Sequence, residues 1–127
     1  MPKLTLDHVH LRSPDPEATG RWYETVLEAR RTAPTDPKSG RVTVAVGGLN
    51  IFIDRVPAET AGTPPAPFLG LEHLAFTVQG IDAAVEAMRA QGVTIQNGPL
   101  DVRPGVRIAF IVGPENVLIE LLERTAV

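Results

Sequence analysis

Residues 6–12 read LDHVHLR. Strand periodicity puts His8, His10 and Arg12 on one face, in a chain with only three histidines. The third, His73, lies in a similar stretch, LEHLAF. Imidazole suits Zn, Ni, Fe and Co, and carboxylate suits harder ions such as Mn. The chain has no cysteine. Disulfides and thiolate metal sites are therefore excluded, and any metal must be held by His, Asp, Glu, carbonyls or water.

The elements that must position these residues occur twice. LTLDHVHLR (4–12) reads as a strand, and SPDPEATGRWYETVL after it as a helix. Asp15 suits the N-cap and Pro16 the first helical position. Ala18, Trp22 and Val26 recur at helical spacing. Residues 41–46 alternate as a strand, Gly47-Gly48 turns the chain, and LNIFIDRV (49–56) is the next strand. PAETAGTPPAP (57–67) reads as a linker. The pattern then restarts. GLEHLAFTV (70–78) is a strand, and IDAAVEAMRAQG (81–92) a helix with Val85 and Met88 inward and Gly92 just past its end. Residues 93–95, 106–112 and 117–122 read as three strands, with a turn at Gly113-Pro114-Glu115-Asn116.

Leu6-Asp7-His8 matches Leu71-Glu72-His73, and NIFID (50–54) matches NVLIE (116–120), at offsets of 65 and 66 residues. Two copies of a β-α-β-β-β unit explain such nearly equal offsets. The expected organisation is one α+β domain over 1–127, with unit one at about 3–56, a linker at 57–68 and unit two at about 69–124.

On this reading His8 and His73 are repeat mates, and so are Asp54 and Glu120. Two imidazoles and two carboxylates at such positions suit one divalent ion and balance its charge. Each residue also has a plainer reading. His10 alone fits a hydrogen-bonded strand histidine, and Asp54 a surface charge beside Arg55. Glu120 lies among the apolar residues of VLIELLE, where a carboxylate must be paired, ligated or at a strand end facing water.

The stretches LDHVHLRSPDPEATGRWYETVL, GLEHLAFTVQGIDAAVEAMRAQGV and GVRIAFIVGPENVLIELLE resemble the vicinal oxygen chelate superfamily. That group includes glyoxalase I, methylmalonyl-CoA epimerase, extradiol dioxygenases, fosfomycin-resistance enzymes and bleomycin-binding proteins. The resemblance implies two tandem βαβββ units forming a curved, half-barrel-like mixed sheet around a metal site. It implies His8, His73 and Glu120 as ligands of one divalent ion (Zn, Ni, Fe, Co or Mn), with Asp54 in the place of a fourth. Phe52, on the face of Asp54, then borders the substrate. Arg12 stands where glyoxalase I has an arginine that holds the glutathione carboxylate, and an arginine fork suits such an anion. The chain also departs from its relatives. Asp54 stands where glyoxalase I has Glu and the epimerase Gln, and Ala58 where glyoxalase I has Asn. Thr43 and Val44 stand where the epimerase carries a glutamate base, and Gly113-Pro114-Glu115-Asn116 replaces a common Asp-Pro-Asp-Gly turn. The bleomycin-binding branch lacks the ligand set kept here.

The implied function is a divalent-metal-dependent enzyme of glyoxalase or epimerase type, an isomerase or lyase that moves a proton on a small oxygenated substrate. Glu120 or Asp54 is then the general base, and His10 a substrate contact, a donor or an acid/base. Two rivals stand beside it. One is a non-haem Fe(II) extradiol-type dioxygenase, since two His and one Glu form a facial triad. The other is a non-enzymatic small-molecule-binding or antibiotic-resistance protein. The resemblance also implies a homodimer. A hydrophobic fraction of 43% and a net charge of −3 predict a globular protein with no basic footprint for nucleic acid. No apolar run is long enough to span a bilayer, and MPKLTLDHVH reads without an apolar signal core, so with the lack of cysteine a cytoplasmic protein is expected.

Overall fold

The computed structural model describes residues 2–126. The chain divides into two compact units, Met1–Ala61 and Gly62–Val127. Each builds a four-stranded mixed sheet and one helix in the same element order, so the tandem β-α-β-β-β reading and the α+β class are observed.

Unit one consists of β1 (Val9–Ser13), α1 (Pro16–Val26), β2 (Arg30–Arg31), β3 (Val42–Val46) and β4 (Leu49–Arg55), in the sheet order β1-β4-β3-β2. β1 runs parallel to β4, and the other pairs are antiparallel. Gly47 and Gly48 take φ of 57° and 81°, the left-handed pair a tight turn between β3 and β4 requires. The first strand is shorter than its periodicity suggests. Its ladder begins at Val9, opposite Ile51, because β4 itself begins at Leu49. The preceding arm is tied instead by the Asn50 side chain, whose Nδ2 donates to the Asp7 carbonyl at 3.1 Å.

Asp15 caps α1 by accepting from the Ala18 amide, and Pro16 opens the helix. The face turned to the sheet is not the one that carries Ala18, Trp22 and Val26, the apolar residues at helical spacing. Pro16, Thr19, Gly20 and Tyr23 are buried, whereas Ala18 is exposed and Trp22 and Val26 are only half-buried. Close approach decides this: a Cβ on Gly20 would lie 2.7 Å from Val42 Cγ1. The small residues let the helix settle on Val42, Val44, Ile51 and Ile53, all fully buried, and Thr19 reaches Ser13 of β1 with a buried 2.8 Å hydrogen bond.

Unit two consists of β5 (Leu74–Thr77), α2 (Ile81–Ala90), β6 (Thr94–Arg103), β7 (Val106–Val112), a 3-10 turn (Pro114–Asn116) and β8 (Leu118–Arg124), in the order β5-β8-β7-β6. Val85 and Met88 face inward as expected, with Ile81, against Ala109, Ile111, Ile119 and Leu121. β6 runs far beyond the expected 93–95, because register shifts absorb the polar Gln96-Asn97-Gly98 segment without ending the ladder to β7. Gly98 has φ of +84°, and a Cβ there would meet the Ile108 carbonyl oxygen at 2.5 Å and Ala109 Cα at 2.9 Å. Both obstacles are backbone, so they do not yield. Gly98→Ala is expected to lower unfolding free energy by about 3 kcal/mol in urea titration. Gly62→Ala, in open space, is expected to change it by less than about 0.5 kcal/mol.

No side chain caps α2 from its own N-cap, Gly80. The Glu123 carboxylate of β8 does so instead, accepting from the Gly80 and Ile81 amides at 2.7 and 3.1 Å. Those two amides, Gly80 first, hold its carboxyl below the ordinary 4.5. A depressed carboxylate stabilises the fold fully above its unfolded value, and that contribution is lost as pH falls through the folded one. Glu123→Ala is expected to lower the melting temperature by a few degrees at pH 7 and to flatten its fall on the acid side of pH 4.5, read by calorimetry across pH.

Candidate metal and substrate site

In unit one, α1 covers one face of the sheet, and the chemistry lies on the other. The β1–β4 ladder sets His10 beside Phe52 and Arg12 beside Asp54, and Thr43 of β3 lies opposite Phe52. His8 sits directly ahead of β1 on the same parity. Its ring stacks on Phe52 at 4.1 Å between centroids and 19° between planes. The His10 ring meets His8 edge-on at 4.8 Å. His8 and His10 are therefore layered over Phe52, with Arg12 one ladder pair further along. Among the described residues Arg12 is exposed and has no hydrogen-bond or ion-pair partner.

Asp54 is the best-anchored carboxylate of this face. Arg41 Nε donates to its Oδ1 at 2.6 Å and Arg41 Nη2 to its Oδ2 at 3.2 Å. His10 Nδ1 lies 2.7 Å from the same Oδ2. Arg41 first, and His10 after it, hold the Asp54 carboxyl below the ordinary 3.8, against the opposing effect of burial. The guanidinium also lies 5.0 Å over the Phe52 ring, a cation–π contact. Sequence reasoning missed the role of Arg41: alternation over 41–46 puts it on the parity of Thr43, but gives no sign that it reaches across to Asp54.

In unit two, α2 again covers one face. On the other, Ala75 pairs with Glu120 across β5–β8, and Phe110 pairs with Glu120 across β7–β8. His73 sits directly ahead of β5. Its Nε2 lies 3.0 Å from Glu120 Oε1, its Nδ1 3.1 Å from Glu72 Oε2, and its ring meets Phe110 edge-on at 5.2 Å. The carboxylate inside VLIELLE is thus paired, as burial requires. Each unit also places an acidic residue just before the first-strand histidine, and that residue engages Nδ1: Asp7 for His8 at 2.6 Å, Glu72 for His73 at 3.1 Å. A metal-bound imidazole typically has its second nitrogen held by a carboxylate in this way. The repeated acid-His dipeptide was the signal for it in the sequence.

The ladders correct one equivalence. Two residues after His8, His10 pairs with Phe52; two residues after His73, Ala75 pairs with Glu120. The counterpart of Glu120 is therefore Phe52. Asp54 pairs with Arg12 and corresponds to Leu122, which pairs with Thr77. The sequence match misled because it was pinned on Asn50 and Asn116. Asn50 is a ladder residue of β4, whereas Asn116 ends the 3-10 turn at φ 59°. Unit one therefore offers His8 with an aromatic ring beneath it, and unit two a His73–Glu120 pair. Among the described residues neither unit by itself gathers three His, Asp or Glu side chains into a metal cage.

A sequence model of the Glyoxalase/Bleomycin resistance protein/Dioxygenase superfamily matches residues 5–121. The uncharacterized protein YwkD of Bacillus subtilis (strain 168) is 35% identical over 76 residues, which make up 60% of this chain and 58% of that protein. The match thus spans less than two thirds of that relative's length. A glyoxalase family protein from Enterococcus faecalis superposes with a TM-score of 0.77 at 24% identity, over 94% of this chain and 97% of its own. A variant of the fosfomycin resistance protein FosX from Listeria monocytogenes, solved with Mn(II) and 1S,2S-dihydroxypropylphosphonic acid, superposes with a TM-score of 0.76 at 23% identity, over 95% and 92%. The repeated fold, the acid-histidine dipeptide ahead of the first strand of each unit and the match over nearly the whole chain lead to one conclusion: this chain belongs to the glyoxalase/bleomycin resistance protein/dioxygenase superfamily.

Proposed function

We propose that the chain is a divalent-metal-dependent enzyme that moves a proton on a small oxygenated substrate, an isomerase or lyase of glyoxalase or epimerase type, with His8, His73 and Glu120 as metal ligands. The supporting observation is His73 set between two carboxylates. With Nδ1–H donating to Glu72, the lone pair of Nε2 faces a Glu120 oxygen at 3.0 Å. Two lone pairs at that distance need a cation between them, a proton or a metal ion. Donor atoms bound to one ion at about 2.1 Å lie about 3.0–3.4 Å apart, so the pair suits two ligands of one ion. Two imidazoles and one carboxylate suit Zn, Ni, Fe, Co or Mn, and the Mn(II) bound to the FosX neighbour supports manganese among them.

When bound, such an ion supplies Lewis-acid stabilisation of negative charge developing on a substrate oxygen. Proton movement belongs to the chain. His10, its Nδ1 held by Asp54, turns Nε2 to the open face and takes or returns the substrate proton. Arg41 keeps Asp54 in place, Phe52 floors the face, and Arg12 offers a fork to an anionic end of the substrate. Elemental analysis of the native protein is the test. About one divalent ion per chain is expected, lost in His8→Ala. Metal content that is nil, or unchanged by the substitution, overturns the ligand set. Iron with O₂ uptake on a catechol replaces proton transfer by the dioxygenase reading.

The reading includes a homodimer. Leu4 and Leu6 lead into His8 as Leu69 and Leu71 lead into His73, and these four are 75–101% exposed. Apolar side chains repeated and exposed in this way suit an interface. Light scattering is expected to give twice 13.6 kDa, and Leu6→Glu with Leu71→Glu to shift it toward the monomer.

A further inference from the structure

The Pro-rich stretch expected to be a bare linker builds a wall. Thr63 Oγ1 donates to the Glu115 carbonyl at 3.0 Å, which pins the stretch to the 3-10 turn before β8. A cavity of about 390 Å³ opens between them, lined by Pro64, Phe68, Val112 and Leu118, with Asn116 and Glu72 among its polar groups. That volume is within the range of small-molecule sites. None of its lining residues is Lys, Arg or His, and Glu72 is its only charged one. Unit two as a whole holds seven acidic and four basic side chains, so it carries the entire net charge of −3. The cavity also adjoins the proposed ligands. Glu72 lines it and holds His73 Nδ1 through Oε2, and Leu118 lies two residues before Glu120 on the same strand face.

We propose that this cavity binds a small, largely apolar group that carries a hydroxyl or ammonium donor and no anionic charge, with Glu72 as the acceptor. This names the class of substrate group at the site proposed above and rests on that reading only for calling the occupant a substrate. An anion entering here loses its hydration and meets the Glu72 carboxylate in a lining with no Lys, Arg or His side chain to receive it. A donor on an apolar body gains the Glu72 carboxylate and covers Phe68, Val112 and Leu118.

The experiment is an amide NMR titration of the full chain with EDTA present, using benzylamine, benzyl alcohol and benzylphosphonate as matched probes. Benzylamine and benzyl alcohol are expected to shift the amides of Phe68, Val112 and Asn116, benzylamine at the lower concentration. Benzylphosphonate is expected to bind at least tenfold more weakly there. Glu72→Gln is expected to weaken benzylamine roughly tenfold and benzyl alcohol by less than threefold. Benzylphosphonate binding as tightly as benzylamine, no shift at these amides with any probe, or benzylamine binding unaffected by Glu72→Gln overturns the proposal. Each of these results leaves the metal content of the native protein, and so the ligand set, untouched. A metal-free native protein removes the ligand set and leaves this binding result standing.

Discussion

Glu120→Ala is expected to lose the bound divalent ion and to lower turnover by about a thousandfold or more, while the metal-free fold loses only about 1 kcal/mol of stability with the His73 contact. The two halves of this expectation have different causes. Glu120 lies on the open face of β8, whereas its neighbours Ile119 and Leu121 form the buried face against α2. Truncating it opens no cavity in the core. What is lost is the only carboxylate bonded to His73 Nε2 among the described residues, and with it the negative charge that the proposed ligand set offers a dication. Thermal melts with added Mn²⁺ or Zn²⁺ separate the two. A ligand at a hundred times its Kd stabilises the native state by about 2.7 kcal/mol. The wild type is expected to show a metal-dependent rise in melting temperature, and Glu120→Ala none. A rise of equal size in both proteins would remove Glu120 from the ligand set. Glu120→Gln, which keeps shape and loses charge, is expected to behave like the alanine variant in metal content.

The sequence carried the fold well, because the fold is written in periodicities that do not depend on distant contacts. Alternation placed β3, β4, β7 and β8, the caps placed α1 and α2, and the doublet Gly47-Gly48 placed the tight turn. Departures occur where tertiary contact overrides a local pattern. Apolar residues at helical spacing in α1 are Ala18, Trp22 and Val26, but helix–sheet approach selects Gly20 and Thr19 for the inner face, since space matters more there than greasiness. Gln96-Asn97-Gly98 looks like the end of a strand, yet β7 offers a partner long enough to carry β6 through its register shifts.

The site was legible to the extent that it is repeated. His8 and His73, each preceded by an acid, stand out as a pair in the text, and the structure gives both the same surroundings at Nδ1. Arg41 has no repeat mate, and the alternation of 41–46 gives its face but not its partner, so nothing in the sequence linked it to Asp54, which it binds through two nitrogens. The cavity wall was equally hidden. Residues 63–68 read as a linker by composition, and only the Thr63–Glu115 hydrogen bond shows that they pack.

Asp54→Ala is expected to leave metal content unchanged and to lower turnover about a hundredfold or more, with little change in KM. The ladder sets Phe52, not Asp54, in the position that corresponds to Glu120, and both Asp54 oxygens are already engaged by Arg41 and His10. Removing the carboxylate therefore leaves the proposed ligands in place. It frees the His10 ring from its fixed tautomer and leaves Arg41 over Phe52 without a counter-charge. Arg41→Ala is expected to share the turnover loss in part, because His10 keeps its bond to a less firmly held Asp54. The pH profile supplies a check that a merely structural role does not pass. The Asp54 carboxyl titrates below the ordinary 3.8, so the Arg41–Asp54 ion pair is kept through the neutral range, and its stabilising effect is lost only as pH falls through the depressed folded value. An acid limb of kcat set by Asp54 therefore falls below the ordinary 3.8 and is expected to be absent from Asp54→Ala, whereas a limb above about pH 5 belongs to another group and is expected to stay. A parallel loss of metal and activity in Asp54→Ala would return Asp54 to the ligand set and make the register argument wrong.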